Sequence, residues 1–221
     1  MTDNQNLQNR FLRQLEIVPP EKLSFPITVI GAGAIGSATV VTLAKMGCSD
    51  ITVWDADTLE DVNIPNQLCK PAMISRPKVE ALAELVDELT EIQIKQINRR
   101  YMGQRLKGVV IVTVDNMTTR KKVWKRAKFN RKIPLLIESR MGAEFARIYA
   151  VFPTNDRDAD FYEQNLYSSE DAEHLPCSAR SIIYCPTVIA GYIALLVKQY
   201  AVGQPIPREV LIDLPNLLLQ T

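Results

Sequence analysis

Six consecutive residues, Gly31-Ala32-Gly33-Ala34-Ile35-Gly36, carry three glycines at G-x-G-x-x-G spacing between two apolar runs. In that spacing the first glycine permits a tight turn, the second lets a phosphate approach the backbone, and the third lets a helix pack close to a strand. Free N–H groups at the start of the following helix then favour an anion. The chemistry implied is nucleotide binding. Asp55 stands 19 residues after Gly36, at the end of the next apolar run. A carboxylate there can accept both ribose hydroxyls. The turn and Asp55 serve NAD and ATP equally. A glycine turn kept only for packing, with a solvated Asp55, is the plainer reading.

Such residues need a strand, a turn, a helix and a second strand in that order. Pro26–Ile30 reads as a buried strand, Ser37–Met46 as a helix stopped by Gly47, and Ile51–Trp54 as the second strand. This is the first unit of a doubly wound fold. Lys78–Leu89 is predicted helical, with Val79, Leu82, Leu85, Val86 and Leu89 on one stripe. Gln93–Asn98 suits a strand, Val109–Val114 a buried strand ending at Asp115, and Thr118–Asn130 a basic amphipathic helix. Pro134–Glu138, Ala146–Phe152 and Val210–Leu214 read as strands, and Pro186–Tyr200 as an apolar helix. The expected fold is α/β: one Rossmann-like three-layer domain over residues 1–221, its sheet mostly parallel with antiparallel strands in the C-terminal half. Within it we expect an N-terminal helix over 1–20, a nucleotide-binding core over 26–152, an acidic exposed loop over 154–176, and a C-terminal helix and strand over 186–221.

Composition narrows the class. The chain has 221 residues, 47% hydrophobic, enough for one core. Its 26 Lys+Arg balance 25 Asp+Glu, so bulk charge argues for neither nucleic acid nor a membrane surface. Eight basic residues between Arg120 and Lys132 read as a solvated helix face. Cys48, Cys69, Cys177 and Cys185 form no C-x-x-C pair, and His174 is the lone histidine, so neither zinc nor a disulfide framework is expected. No uninterrupted apolar run of about 18 residues is evident, and the first residues carry no apolar signal core, so a cytoplasmic protein without a membrane span is expected.

The stretch after Asp55 separates the two nucleotides. It reads Asp55-Ala56-Asp57-Thr58-Leu59-Glu60-Asp61-Val62-Asn63-Ile64-Pro65-Asn66-Gln67, followed by Pro77-Lys78 and Asp115-Asn116-Met117-Thr118-Thr119-Arg120, and preceded by Arg10-Phe11-Leu12-Arg13-Gln14. With the glycine turn, these motifs run in order from Arg10 to about Phe152 and resemble the ThiF/MoeB/HesA family, the ubiquitin-activating-enzyme-like adenylyltransferases. The resemblance implies a homodimer that uses ATP and Mg²⁺ to adenylate the C-terminal carboxylate of a ubiquitin-like or sulfur-carrier protein ending in Gly-Gly, releasing pyrophosphate. It assigns the ribose to Asp55, the surrounding nucleotide site to Gly31, Gly33, Gly36 and Asp57, the phosphate region to Asn63 and Asn66, and the phosphates to Lys78. Mg²⁺ falls to Asp115. Arg13 would reach the phosphates of the neighbouring subunit, with Arg10 assisting, which makes Arg13, Lys78 and Asp115 the catalytic set.

One departure matters. Asn66 stands where the family has an arginine, and Asn brings no charge. Lys70, Arg76, Arg120 and Arg140 are the cations that could replace it; otherwise the enzyme is slow, or the chain binds ATP without turnover. Cys185 and Cys177 are candidates for a thioester if a neighbour lowers their pKa, with adenylation alone as the default. The plain readings are a surface lysine at 78, a helix cap at 115–116, solvated arginines at 10 and 13, and buried apolar cysteines. The competing functions are an NAD(P)-dependent oxidoreductase, a non-catalytic partner subunit, and the same chemistry on a peptide or small carboxylate.

Overall fold

The structure, a computed structural model, describes residues 9–167 and 181–221. Eight strands form one sheet in the order β3-β2-β1-β4-β5-β6-β7-β8. They are β1 (Ile27–Ile30), β2 (Ile51–Asp55), β3 (Lys95–Asn98), β4 (Val109–Val112), β5 (Leu136–Gly142), β6 (Phe145–Val151), β7 (Glu209–Asp213) and β8 (Leu218–Gln220). Neighbours from β3 to β5 are parallel, and those from β5 to β8 are antiparallel. Among the described residues five α-helices lie against the sheet: α1 (Ala34–Lys45), α2 (Lys78–Thr90), α3 (Met117–Ala127), α4 (Asp156–Gln164) and α5 (Tyr184–Val202).

The central strands β1 and β4 are apolar runs buried on both faces, as helices on both sides of a parallel sheet require. Val40 and Leu43 of α1, Val79 and Leu82 of α2, and Ile189 and Ile193 of α5 pack with Val29, Ile111 and Ile137 on one face. Val123 and Trp124 of α3 and Tyr162 of α4 pack with Ile30, Val112 and Tyr149 on the other. The expected three layers are present. The chain winds outward from β1 through β2 to β3, then crosses to β4 and β5 on the other side. The crevice between the C-terminal ends of β1 and β4 is therefore the switch point where α/β sheets bind ligands.

Four expectations change. The N-terminal helix expected over 1–20 is broken beyond Arg10 into two short 3-10 turns, Leu12–Gln14 and Pro20–Leu23, the second starting at the prolines. Residues 154–176 are not all loop: Asp156–Gln164 forms α4, with Asn155 Oδ1 accepting from the N–H groups of Arg157 and Asp158. Asp156 and Asp158 in its first turn suit the positive end of the helix dipole. Its buried apolar side chains are Ala159 and Tyr162, too few to give the segment a visible period. A further edge strand, β8, follows β7 with all three residues exposed. α5 is long and apolar enough by length and composition to cross a membrane. It instead packs on α1 as a core helix, with Ile189, Ala190, Ile193 and Val197 buried.

Candidate nucleotide site

The three glycines do different work. Gly31 has φ +106°, a conformation costly for other residues, and a Cβ there would lie 3.0 Å from the main chain of Thr113. A Cβ on Gly36 would lie 2.0 Å from the carbonyl oxygen of Gly31. These two let β1, α1 and the end of β4 meet. At Gly33 a Cβ would find nothing within 4 Å. Gly33 is the N-cap of α1 and brings no side-chain cap, so it faces open space where the first-turn N–H groups need acceptors. That is a place for phosphate oxygens. Thr113, not singled out from sequence, fastens the turn: its Oγ1 donates to the carbonyl of Gly31 at 2.8 Å.

Asp55 ends β2 and braces the same turn. Its Oδ2 accepts from the N–H of Ala32 at 2.6 Å and its Oδ1 from that of Asp57 at 2.8 Å. Each oxygen keeps a further lone pair for a ribose hydroxyl. Lys78 is no ordinary surface lysine. Its side chain is 12% exposed and its Nζ lies 3.3 Å from a carboxylate oxygen of Asp57. A bridge between Thr58 and Pro77, and the bond from the Lys78 N–H to the Asp57 carbonyl at 2.9 Å, bring these distant residues together.

Asn63 shapes the next loop. Its Oδ1 accepts from the N–H of Glu60 at 2.9 Å, and its carbonyl accepts from those of Asn66 and Gln67. Ser37 Oγ accepts from the N–H of Leu68 at 3.1 Å, pinning the loop to the first turn of α1. Beside that anchor the buried side-chain oxygens of Asn66 and Gln67 have no hydrogen-bond partner. Buried polar groups are rarely left so, and these two suit a ligand that offers donors or, after amide rotation, acceptors.

Asp115 lies just beyond β4 and is exposed. Its Oδ1 accepts from Asn116 Nδ2 at 3.1 Å. Asn116 is the N-cap of α3, accepting from the N–H of Thr119 at 2.9 Å. Capping and a free carboxylate thus fall to different residues. Among the described residues no group of three His, Cys, Asp or Glu side chains could hold a metal ion. One carboxylate at the switch point nevertheless fits Mg²⁺, which is commonly held by one or two carboxylates with substrate phosphates and water.

Other expected residues are not at this site. Arg10 donates to the Thr90 carbonyl at 3.1 Å and pairs with Glu91, beyond the end of α2. Gln14 donates to the carbonyl of Met46, at the C-terminal end of α1, at 2.8 Å. That helix has 12 residues, and so is about 18 Å long at 1.5 Å per residue. Exposed Arg13 therefore stands at the end of α1 opposite the glycine turn and does not reach its own chain's site. The four cations that could replace the missing arginine are all paired: Lys70 with Glu88, Arg76 with Glu84, and both Arg120 and Arg140 with Glu138. Arg120 corrects the reading of α3 as solvated, because it points inward and is 7% exposed. Cys185 is buried in the first turn of α5, and burial pushes its thiol up, the reverse of what a thioester nucleophile needs. Cys177 lies outside the described residues.

The ThiF family model matches residues 21–217. The sulfur carrier protein ThiS adenylyltransferase of Escherichia coli (strain K12) is 28% identical over 128 residues, 54% of this chain and 51% of that protein. The molybdopterin-synthase adenylyltransferase of Haemophilus influenzae is 25% identical over 134 residues, 57% of this chain and 55% of that protein. The adenylyltransferase and sulfurtransferase UBA4 of Yarrowia lipolytica is 40% identical over 63 residues, 28% of this chain and 16% of that protein. The chain spans about half the length of the first two and less of the third. Among solved structures, E. coli MccB with ATP has a TM-score of 0.77 at 16% identity, over 96% of this chain and 70% of that one. PaaA has 0.75 at 15% identity, over 100% of this chain and 73% of that one. At such identities the likeness is one of fold.

Proposed function

The chain belongs to the ThiF family, and from that premise we propose that it binds ATP and Mg²⁺ at the glycine turn and adenylates the C-terminal carboxylate of a ubiquitin-like or sulfur-carrier protein. The supporting observation is that an open Gly33, a sequestered Lys78 against Asp57 and an exposed Asp115 stand just beyond the C-terminal ends of the adjacent parallel strands β1, β2 and β4. The family premise also displaces the oxidoreductase alternative.

In this reading a carboxylate oxygen of the acceptor attacks the α-phosphorus of ATP. A P–O bond forms, the bond from the α-phosphorus to its bridging oxygen breaks, and pyrophosphate leaves with the electron pair. The reaction asks the protein for alignment and charge neutralisation rather than a covalent step. Lys78 Nζ turns from Asp57 to the phosphates, a role for a compact ammonium charge. The α1 N–H groups hold phosphate oxygens, Asp55 the ribose, and Asn63, Asn66 and Gln67 the adjoining polar surface. Asp115 would hold Mg²⁺, which would supply charge neutralisation at the phosphates. Arg13 acts in a second copy of the chain, because its distance along α1 removes it from its own site; the working unit is then a cytoplasmic homodimer.

A second reading has an observation of its own. Asn66 is uncharged, and its four possible replacements are all occupied in ion pairs. That favours an ATP-binding partner subunit without turnover. ATP–pyrophosphate exchange separates the two readings, run with Mg²⁺ and a panel of carrier proteins with and without their terminal glycines. Tail-dependent exchange supports the enzyme; ATP binding without exchange, even with a genomically linked partner, supports the silent subunit. For the enzyme, Asp115→Ala should abolish exchange while leaving the melting temperature of the unliganded protein unchanged. Exchange retained in that variant removes Asp115 from the metal role.

A further inference from the structure

Glu138 is fully buried on β5, in register with Val112 of β4. Arg140 grips it with two bonds, Nε to Oε1 at 2.7 Å and Nη2 to Oε2 at 2.8 Å. The hydroxyl of Tyr162 donates to Oε2 at 2.7 Å, and Arg120 Nε lies 2.9 Å from Oε1 as an ion pair whose alignment falls outside hydrogen-bond geometry. A carboxylate taken out of water persists only when paired and hydrogen-bonded in this manner. Arg140 is held further by Tyr149 and Tyr167, whose ring centroids lie 4.7 and 5.2 Å from its guanidinium carbon.

Arg120 does something different. Its Nη2 donates to the carbonyl of Val114 at 2.6 Å and to that of Ser139 at 3.2 Å. Val114 immediately precedes Asp115. A continuous chain of contacts therefore runs from Glu138 through Arg120 to the backbone of the turn that presents Asp115. Buried ion pairs are weak evidence of stabilisation, since apolar side chains often serve as well. What distinguishes this one is that its second cation is spent on the main chain just beyond β4 and in the middle of β5, next to the Asp115 turn.

We propose that Glu138, acting through Arg120, positions the turn carrying Asp115, and that both are positioning residues for metal-dependent nucleotide binding. The proposal rests on the reading that Asp115 holds Mg²⁺. Groups that orient metal ligands typically change metal affinity by about 10- to 100-fold when removed.

The test reads binding, not turnover. The melting temperature of the whole chain with saturating ATP is followed as Mg²⁺ is titrated, and again with ATP and no divalent ion. Glu138→Gln is expected to raise the Mg²⁺ concentration for half-maximal stabilisation by about tenfold or more, with the metal-free response unchanged. Arg120→Lys should fall between it and the unsubstituted protein. Should Glu138→Gln not fold, the pair Arg120→Met with Glu138→Gln removes one cation and one anion together, keeps the cluster's net charge, and is expected to show the same weakened response. An unchanged Mg²⁺ response in these variants, with an altered one in Asp115→Ala, overturns the positioning roles alone. An unchanged response in Asp115→Ala overturns the metal assignment and this proposal with it.

Discussion

Where the sheet is parallel, the residues around the glycine turn are held through the main chain: the Gly31–Gly36 contact, the Asp55 carboxylate on the N–H groups of Ala32 and Asp57, and the bridge that carries Lys78 to Asp57. Where it turns antiparallel, the neighbouring wall is held by side chains, with Glu138 gathering Arg120, Arg140 and Tyr162 from one strand and two helices. At Gly31 and Gly36 the first arrangement tolerates no added atoms, because backbone touches backbone. The second tolerates no lost charge, because water cannot replace a missing partner. The two regions should therefore fail under different substitutions.

The largest effect should come from the antiparallel side. Glu138→Ala leaves one buried and one largely buried guanidinium without a counter-charge and should cost about 3–5 kcal/mol, read from urea unfolding. A loss below about 1 kcal/mol would mean that the network does not hold that wall. On the parallel side Gly36→Ala drives a methyl into the carbonyl of Gly31 and should cost about 1–3 kcal/mol. Gly33→Ala points into open space and should leave unliganded stability within about 0.5 kcal/mol, while weakening stabilisation by ATP. Equal losses from the two alanines would erase the distinction between a packing glycine and a phosphate-facing one.

The smallest effect separates the thiols. Burial raises the pKa of Cys48, to about 12, and those of Cys185 and Cys69; of the three, Cys69 alone is partly exposed. A raised pKa lowers the thiolate fraction at any pH below it. Cys48 at pH 8 should hold on the order of one thiolate in ten thousand, and the thiolate is the reactive form. Of these three, iodoacetamide on the native protein should modify Cys69 first, by peptide mass spectrometry. Rapid modification of Cys185 would revive it as a thioester candidate.

Legibility followed the same division. The glycine turn, Asp55, and the strands and helices around them could be read because each is encoded in a few adjacent residues or a steady period. Arg120 could not be placed, because it sits in a run of basic residues and turns inward only to meet Glu138 on another element. α4 stayed hidden because carboxylates outnumber its buried side chains, Ala159 and Tyr162. Arg13 was legible as a motif residue, but its distance from the glycine turn emerged only once Gln14 was seen against the far end of α1.

By itself the sequence determined the order of most elements, the glycine turn and the family to which the chain belongs. These depend on backbone freedom at glycine and on hydrophobic period, both of which act over a few neighbouring residues. Tertiary structure alone decided which cations are spent in ion pairs, that Lys78 is sequestered against Asp57, and that a buried carboxylate reaches the Asp115 turn through Arg120. Those outcomes depend on desolvation and close approach between residues far apart in the chain, which packing creates and no local pattern records.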